Sequence, residues 1–156
     1  MAIEIEKINY KKQNSLTILD TILSKWFKDP KVLNFTEPKM PYPFNFNKWM
    51  KIFYYNNKID SYVIKKDGWI VCFGSIEFIS SETVLLKHFC AEDKKEGKGQ
   101  KIRLINFFQK NSLTGEIKKI KINLMKKDFE MIKIIKNLKF KKGKSGKKIQ
   151  QYYKEI

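Results

Sequence analysis

The sequence predicts an α+β domain built on a mixed, mostly antiparallel sheet of about seven strands, with helices on both faces. Three observations carry that reading. Apolar–polar alternation marks short strands along most of the chain, and apolar positions three and four apart mark amphipathic helices between them. Asp67-Gly68, the strongest hairpin signal present, joins two of the strands directly. The segments fall in the order strand, two helices, three antiparallel strands, helix, strand, helix, two strands, which suits a sheet with helices packed on its faces.

Taken in order, Ile3 to Asn9 alternates and reads as the first strand. Asn14 or Ser15 is suited to cap a helix carrying Leu16, Leu19, Ile22, Leu23, Trp26 and Phe27, which Asp29-Pro30 then ends. Pro38, Pro41 and Pro43 mark an irregular aromatic connection, and a second helix is expected from about Asn45 to Tyr55. Asp60 to Lys66 and Trp69 to Ile79 form the hairpin; Gly74 inside the second strand signals a bulge or a close backbone approach. Thr83 to Ala91 is the next strand. A polar stretch with two glycines follows, and a helix with Ile102, Leu104, Ile105, Phe107 and Phe108 runs to Thr114-Gly115. Ile117 to Met125 is a strand with Ile120, Ile122 and Leu124 on one face. Asp128 stands at the start of a helix with Met131, Ile134, Ile135 and Leu138. Phe140 begins a short strand, Gly143 to Gly146 turns, and Lys147 to Glu155 is the last strand. No internal repeat or linker interrupts the pattern, so residues 1–156 read as one domain.

Composition narrows the class. An apolar content of 42% with 14% aromatic residues suits a packed globule. No apolar run is long enough to span a bilayer, and Met1-Ala2-Ile3-Glu4 has no signal-peptide character, so a cytoplasmic protein without a membrane role is expected. Cys72 and Cys90 lie inside apolar strands and read as reduced, buried thiols whose spacing suits no metal site. The net charge of +17 invites a nucleic-acid reading. Of the lysines and arginines, however, all but Arg103 are lysine, and bidentate readout of base edges favours arginine, which argues against sequence-specific nucleic-acid binding.

The chemistry gathers at Ala91 to Ile105. A strand feeding a glycine-bearing turn and a helix N-terminus makes an anion site, because first-turn amides lack partners and the helix dipole favours negative charge. Lys98 and Lys101 add positive charge there, and a diphosphate would fit. Two better-known phosphate patterns fail. Leu138 stands where the first glycine of a loop ending Gly143-Lys144-Ser145 should be, and no Gly-x-Gly-x-x-Gly is present.

Over nearly its whole length the chain resembles the GNAT superfamily of N-acetyltransferases. The element order is similar, and Lys94-Lys95-Glu96-Gly97-Lys98-Gly99 resembles that family's Gln/Arg-x-x-Gly-x-Gly/Ala loop, followed by Leu104-Ile105 for its paired leucines. Glu96 and Lys101 depart from the basic and small residues usual there. Trp26 to Val32 is similar to the Trp-x-x-Asp-Pro-x-Val of ribosomal-protein and sugar acetyltransferases, and Gly97-Lys98-Gly99-Gln100 to acetyltransferases of amino-sugar nucleotides. The second signature falls on Asp128 to Phe140, with Asp128 for its asparagine, Met131 for its alanine, Lys139 for its glycine, and Ile135 where a tyrosine commonly protonates the departing thiolate.

The resemblance implies a GNAT-like fold and an acetyl-CoA-dependent N-acetyltransferase acting by direct attack of a primary amine. Its diphosphate would be held by Glu96, Gly97, Lys98, Gly99, Gln100 and Lys101, with the backbone of Phe89, Cys90 and Ala91 and the residue Asp128 completing the cofactor site. His88 and Glu77 are the candidate bases. The acceptor would be a nucleotide sugar, a peptide or another small amine, its pocket shaped by Glu37 to Tyr55 and Tyr152-Tyr153, with the chain a monomer or homodimer. Two alternatives stand beside this: a catalytically inactive binding module of the same fold, and a basic nucleic-acid-binding protein.

Overall fold

The computed structural model describes residues 2–55, 57–92 and 94–156, with Lys94 described for its backbone alone. Met1, Asp93 and the Lys94 side chain, which enter the readings above, lie outside the described residues. Twelve elements follow in chain order: β1 (Ile3–Lys7), α1 (Gln13–Trp26), α2 (Pro30–Thr36), α3 (Phe46–Phe53), β2 (Ile59–Lys66), β3 (Trp69–Phe78), β4 (Thr83–Ala91), α4 (Lys94–Asn111), β5 (Lys119–Met125), α5 (Phe129–Asn137), β6 (Lys141–Ser145) and β7 (Ile149–Glu155).

The strands form one seven-stranded sheet in the order β1-β2-β3-β4-β5-β7-β6. Every neighbouring pair is antiparallel except β4 and β5, which run parallel. The fold class is the one the sequence predicts: α+β, with a mostly antiparallel mixed sheet and helices on both faces.

The sheet divides the buried apolar residues into two layers. On one face Leu104, Ile105 and Phe108 of α4 and Met131, Ile134 and Ile135 of α5 pack on Cys72, Ile76, Val84, Leu86, Ile120 and Ile122. On the other, Leu19 and Leu23 of α1, Leu33 of α2 and Trp49, Met50 and Phe53 of α3 pack on Val63, Ile70, Phe73 and Cys90. Burying one such side chain stabilises the fold by about 1.5–3 kcal/mol, so these two layers dominate its stability. Cys72 and Cys90 are free thiols on opposite faces of the sheet.

Local chemistry changes several expectations. The N-cap of α1 is Lys12, without a side-chain hydrogen bond, and Asn14 and Ser15 lie inside its first turn. Asp29-Pro30 starts a helix instead of only ending one: the Asp29 carboxylate accepts from the Lys31 N–H at 2.9 Å and Pro30 takes the first helical position, where its missing N–H costs nothing. The segment therefore holds three helices where the sequence reading has two. Asn45 caps α3 by accepting from the Lys48 N–H at 3.0 Å. Gly143 lies within β6, and the turn into β7 comes later, closed by the Gly146 N–H donating to the Ile149 carbonyl.

Candidate active site

Strand β4 is regular as far as Lys87 and then changes phase. Phe73 pairs with Cys90 and Ser75 with Lys87, so Gly74 alone opposes both His88 and Phe89. That is a β-bulge, and His88 takes the left-handed conformation at its centre, with φ 62°. A Cβ on Gly74 would stand 2.6 Å from the Phe89 ring and 2.8 Å from Leu104. Both readings of this glycine from sequence, bulge and close approach, hold together.

The bulge coincides with a parting of the sheet. β4 and β5 pair over Thr83–Leu86 and Lys119–Ile122. Beyond Ile122, β5 continues against β7 through Met125, while β4 past Leu86 has no strand partner on its β5 side among the described residues. A cleft of about 520 Å³ occupies the parting, within the size range of small-molecule sites. One wall comes from Thr36 to Lys39 and Phe53, the other from Asn123, Leu124, Asp128 and Met131, with Lys87, His88 and Phe89 between them.

A hydrogen-bonded series ends in this cleft. Glu37, just past α2, receives one hydrogen bond at Oε1 from His88 Nε2, 3.0 Å away, and another at Oε2 from the Lys39 N–H at 3.2 Å. His88 Nδ1 lies 2.7 Å from the Tyr54 hydroxyl, which lies 2.9 Å from Ser75 Oγ. Ser75 Oγ is 2.7 Å from Ser61 Oγ, and Ser61 accepts from the Tyr10 hydroxyl. Trp49 lies against the imidazole with ring centres 4.3 Å apart, and Phe53 meets it edge-on. The His88 side chain is only 1% exposed; that of Glu37, at 13%, retains access to the cleft.

Burial sets the charges here. It drives the His88 pKa down to about 4, with the Lys87 ammonium adding to the effect against the opposing pull of Glu37 and Glu77. His88 is therefore neutral at ordinary pH. Burial also acts upward on Glu37, but the His88 hydrogen bond, the Lys39 N–H and Lys87 outweigh it and hold the carboxyl below its usual value. The cleft thus presents an ionised carboxylate backed by a neutral imidazole.

The other residues expected from sequence are placed as follows. Glu77 does not line the cleft: it pairs with Lys87 at 3.1 Å on the far side of the β3–β4 ladder. Tyr152 is buried in the α4–α5 layer, and neither it nor Tyr153 lines the cleft, contrary to the expected acceptor wall. The Phe89 ring and the Cys90 thiol are core groups on opposite faces, leaving the backbone of Phe89, Cys90 and Ala91 beside the parting. Burial pushes the Cys72 thiol up to about 12 and raises that of Cys90 as well, so neither is a nucleophile.

The glycine-bearing stretch is helical and not a loop. With α4 starting at Lys94, the amides from Lys98 to Lys101 enter the helical ladder. The helix start thus lies three residues upstream of Gly97, the first glycine of the stretch. Gly97 packs on Ala91, where a Cβ would come within 3.1 Å, and Gly99 faces open space. Glu96 pairs with Lys66 at 3.2 Å, which removes the carboxylate from a free position at the helix start. Lys101 lies 3.7 Å from Glu130. Lys98 is half-buried, and the Gln100 side-chain oxygen is buried without a partner among the described residues. Asp128 lines the cleft while capping α5 through the Met131 N–H at 3.3 Å, and burial raises its pKa. Ile135 is fully buried in the α5 layer, so the tyrosine-like position does not face the cleft. Among the described residues, no group of three or more His, Cys, Asp or Glu is placed to hold a metal ion, and no helix is long and apolar enough to cross a membrane.

Sequence reasoning missed Glu37 and Tyr54 as chemical groups, although both lie in the stretch expected to shape the acceptor pocket. Nothing local distinguishes them, because His88 joins them from residues 51 and 34 positions away.

No family model matches the chain, and none of the curated proteins does. Solved structures do match over its length. The GNAT domain of S. lividans PAT gives a TM-score of 0.81 at 12% identity, covering 99% of this chain and 90% of that one. An acetyltransferase from Thermus thermophilus gives 0.74 at 9%, covering 100% and 98%. The spermidine N-acetyltransferase from Vibrio cholerae, solved with CoA and spermine, gives 0.72 at 11%, covering 98% and 95%. At such identities the likeness is one of architecture. The chain has the GNAT fold.

Proposed function

We propose that this chain is an acetyl-CoA-dependent N-acetyltransferase, working as one domain, that transfers acetyl to a primary amine of a small acceptor by direct attack. The observation that carries the reading is the parting of β4 from β5 with an ionised carboxylate, Glu37, on its wall. Fold neighbours crystallised with acetyl coenzyme A or CoA support the donor, and the amine acceptor named for one of them supports the reaction class.

Bound acetyl-CoA supplies an acetyl group activated as a thioester. The N-terminus of α4, with the positive end of its helix dipole, suits its diphosphate, with Lys98 adding charge. The unpaired edge of β4 from Lys87 to Ala91 suits the pantetheine amides and leads toward Glu37. Glu37 takes the proton that an acceptor ammonium must lose, since only the free amine has a lone pair. The C–N bond then forms as the C–S bond breaks, and the second amine proton balances the departing thiolate through solvent. His88 supports the base and is not itself the base, because its Nε2 proton is already committed to Glu37. Glu77, engaged by Lys87, has no part in this scheme.

Titration calorimetry with acetyl-CoA, followed by thiol release in the presence of a panel of primary amines, tests the proposal. Binding at micromolar to millimolar cofactor and amine-dependent thiol release are expected; no binding heat overturns it. Gly99→Asp places a carboxylate on the open helix surface beside the diphosphate and is expected to weaken binding about tenfold or more, near 1.4 kcal/mol, without unfolding the chain. An inactive binding module is the second reading, favoured by the burial of Ile135. It gives binding without thiol release.

A further inference from the structure

The five hydrogen bonds from Tyr10 to Glu37 admit one direction of donation. An ionised carboxylate only accepts, so His88 must give its Nε2 proton to Glu37. A neutral imidazole carries one N–H, so Nδ1 must accept, and Tyr54 must donate to it. Tyr54 has then spent its one proton, and its oxygen takes a hydrogen bond from Ser75. By the same count Ser75 accepts from Ser61, and Ser61 from Tyr10. Each member belongs to a different element or connection: the β1–α1 link, β2, β3, the end of α3, β4 and the end of α2.

We propose that Tyr54, oriented by Ser75, Ser61 and Tyr10, is a positioning residue: its donation to Nδ1 locks His88 in the Nε2–H tautomer, which keeps a hydrogen-bond donor aimed at Glu37 and the carboxylate fixed and ionised. This rests on the transferase reading of the cleft. It assigns a role to a buried polar row that spans the α1–α3 face and that neither packing nor the donor site requires.

The charged and titratable surroundings are consistent with the assignment. Lys87 and Glu77 reach His88 from its own strand and from β3, as a pair that sums to zero. Tyr10 and Cys90 face Tyr54, and with Tyr54 itself desolvated its phenol stays protonated well above its ordinary range. Tyr54 is thus a donor at every working pH.

His88 is the chain's one histidine, so imidazole proton–nitrogen correlation spectra of the isotope-labelled protein read this ring alone. The expected result is a neutral Nε2–H tautomer from about pH 8 down to about pH 5. Tyr54→Phe is expected to yield a tautomer mixture. It also moves the acid limb of kcat/KM for amine transfer upward by about half a unit or more, because Glu37 loses an ordered donor to its ionised form, while acetyl-CoA affinity holds. A wild-type ring protonated at Nδ1, or titrating near its ordinary pKa, overturns the proposal. So does a folded Tyr54→Phe protein with tautomer and acid limb unchanged. Should that variant fail to fold, the wild-type tautomer decides alone. If the spectra give the expected tautomer and no acetyl-CoA binds, the transferase reading falls and the tautomer lock stands.

Discussion

Gly74 and His88 show how single residues set the site. A methyl group at residue 74 has no room between the Phe89 ring and Leu104, both of which are held in the buried α4 layer. Gly74→Ala is therefore expected to destabilise the protein by about 1–3 kcal/mol, read as a lower urea midpoint. The glycine was legible in the sequence because glycine inside an apolar strand has few other uses. The left-handed backbone of His88 was not, since histidine in a strand pattern carries no mark of it. Glu37 was hidden for a different reason: its partners come from distant elements, and an isolated glutamate after a short helix looks like any solvated acid.

At the scale of elements, most boundaries follow from capping and periodicity, and the departures have identifiable causes. Helix α2 escaped notice because seven residues carry too little apolar period, although Asp29-Pro30 is a good start signal. Helix α4 reaches back through two glycines because Gly97 packs close on Ala91, so tertiary contact overrides weak propensity. At the end of α5, Lys139 takes φ 72° just past the C-cap Leu138, in a position that usually favours glycine. The GNAT resemblance marks the same position as glycine. Lys139→Gly should relieve that conformation and stabilise the protein by about 1 kcal/mol, measurable as a rise in the thermal midpoint.

For the molecule as a whole, the buried histidine links stability to pH. Its folded pKa near 4 lies below its unfolded value of 6.5, so between those limits the unfolded chain binds a proton that the native protein refuses. Stability is full above pH 6.5 and falls as pH drops toward 4, by about 2 kcal/mol between pH 7 and pH 5. Glu37, whose carboxyl is held low, adds a loss in the same direction once pH falls through its folded pKa. Urea titrations at several pH values check this, and His88→Asn should flatten the slope between about pH 6.5 and 5. The overall architecture was readable from the order and periods of the segments, whereas the cleft was not, since it exists only where two ladders diverge. Its acid–base apparatus comes down to parity. Val84 and Leu86 point into the α4–α5 layer, and even-numbered residues would go on doing so along an unbroken strand. The bulge adds one step to the count, and residue 88 changes sides. An unbroken β4 of the same length would carry the imidazole into the oily layer behind the sheet and leave Glu37 facing a blank wall.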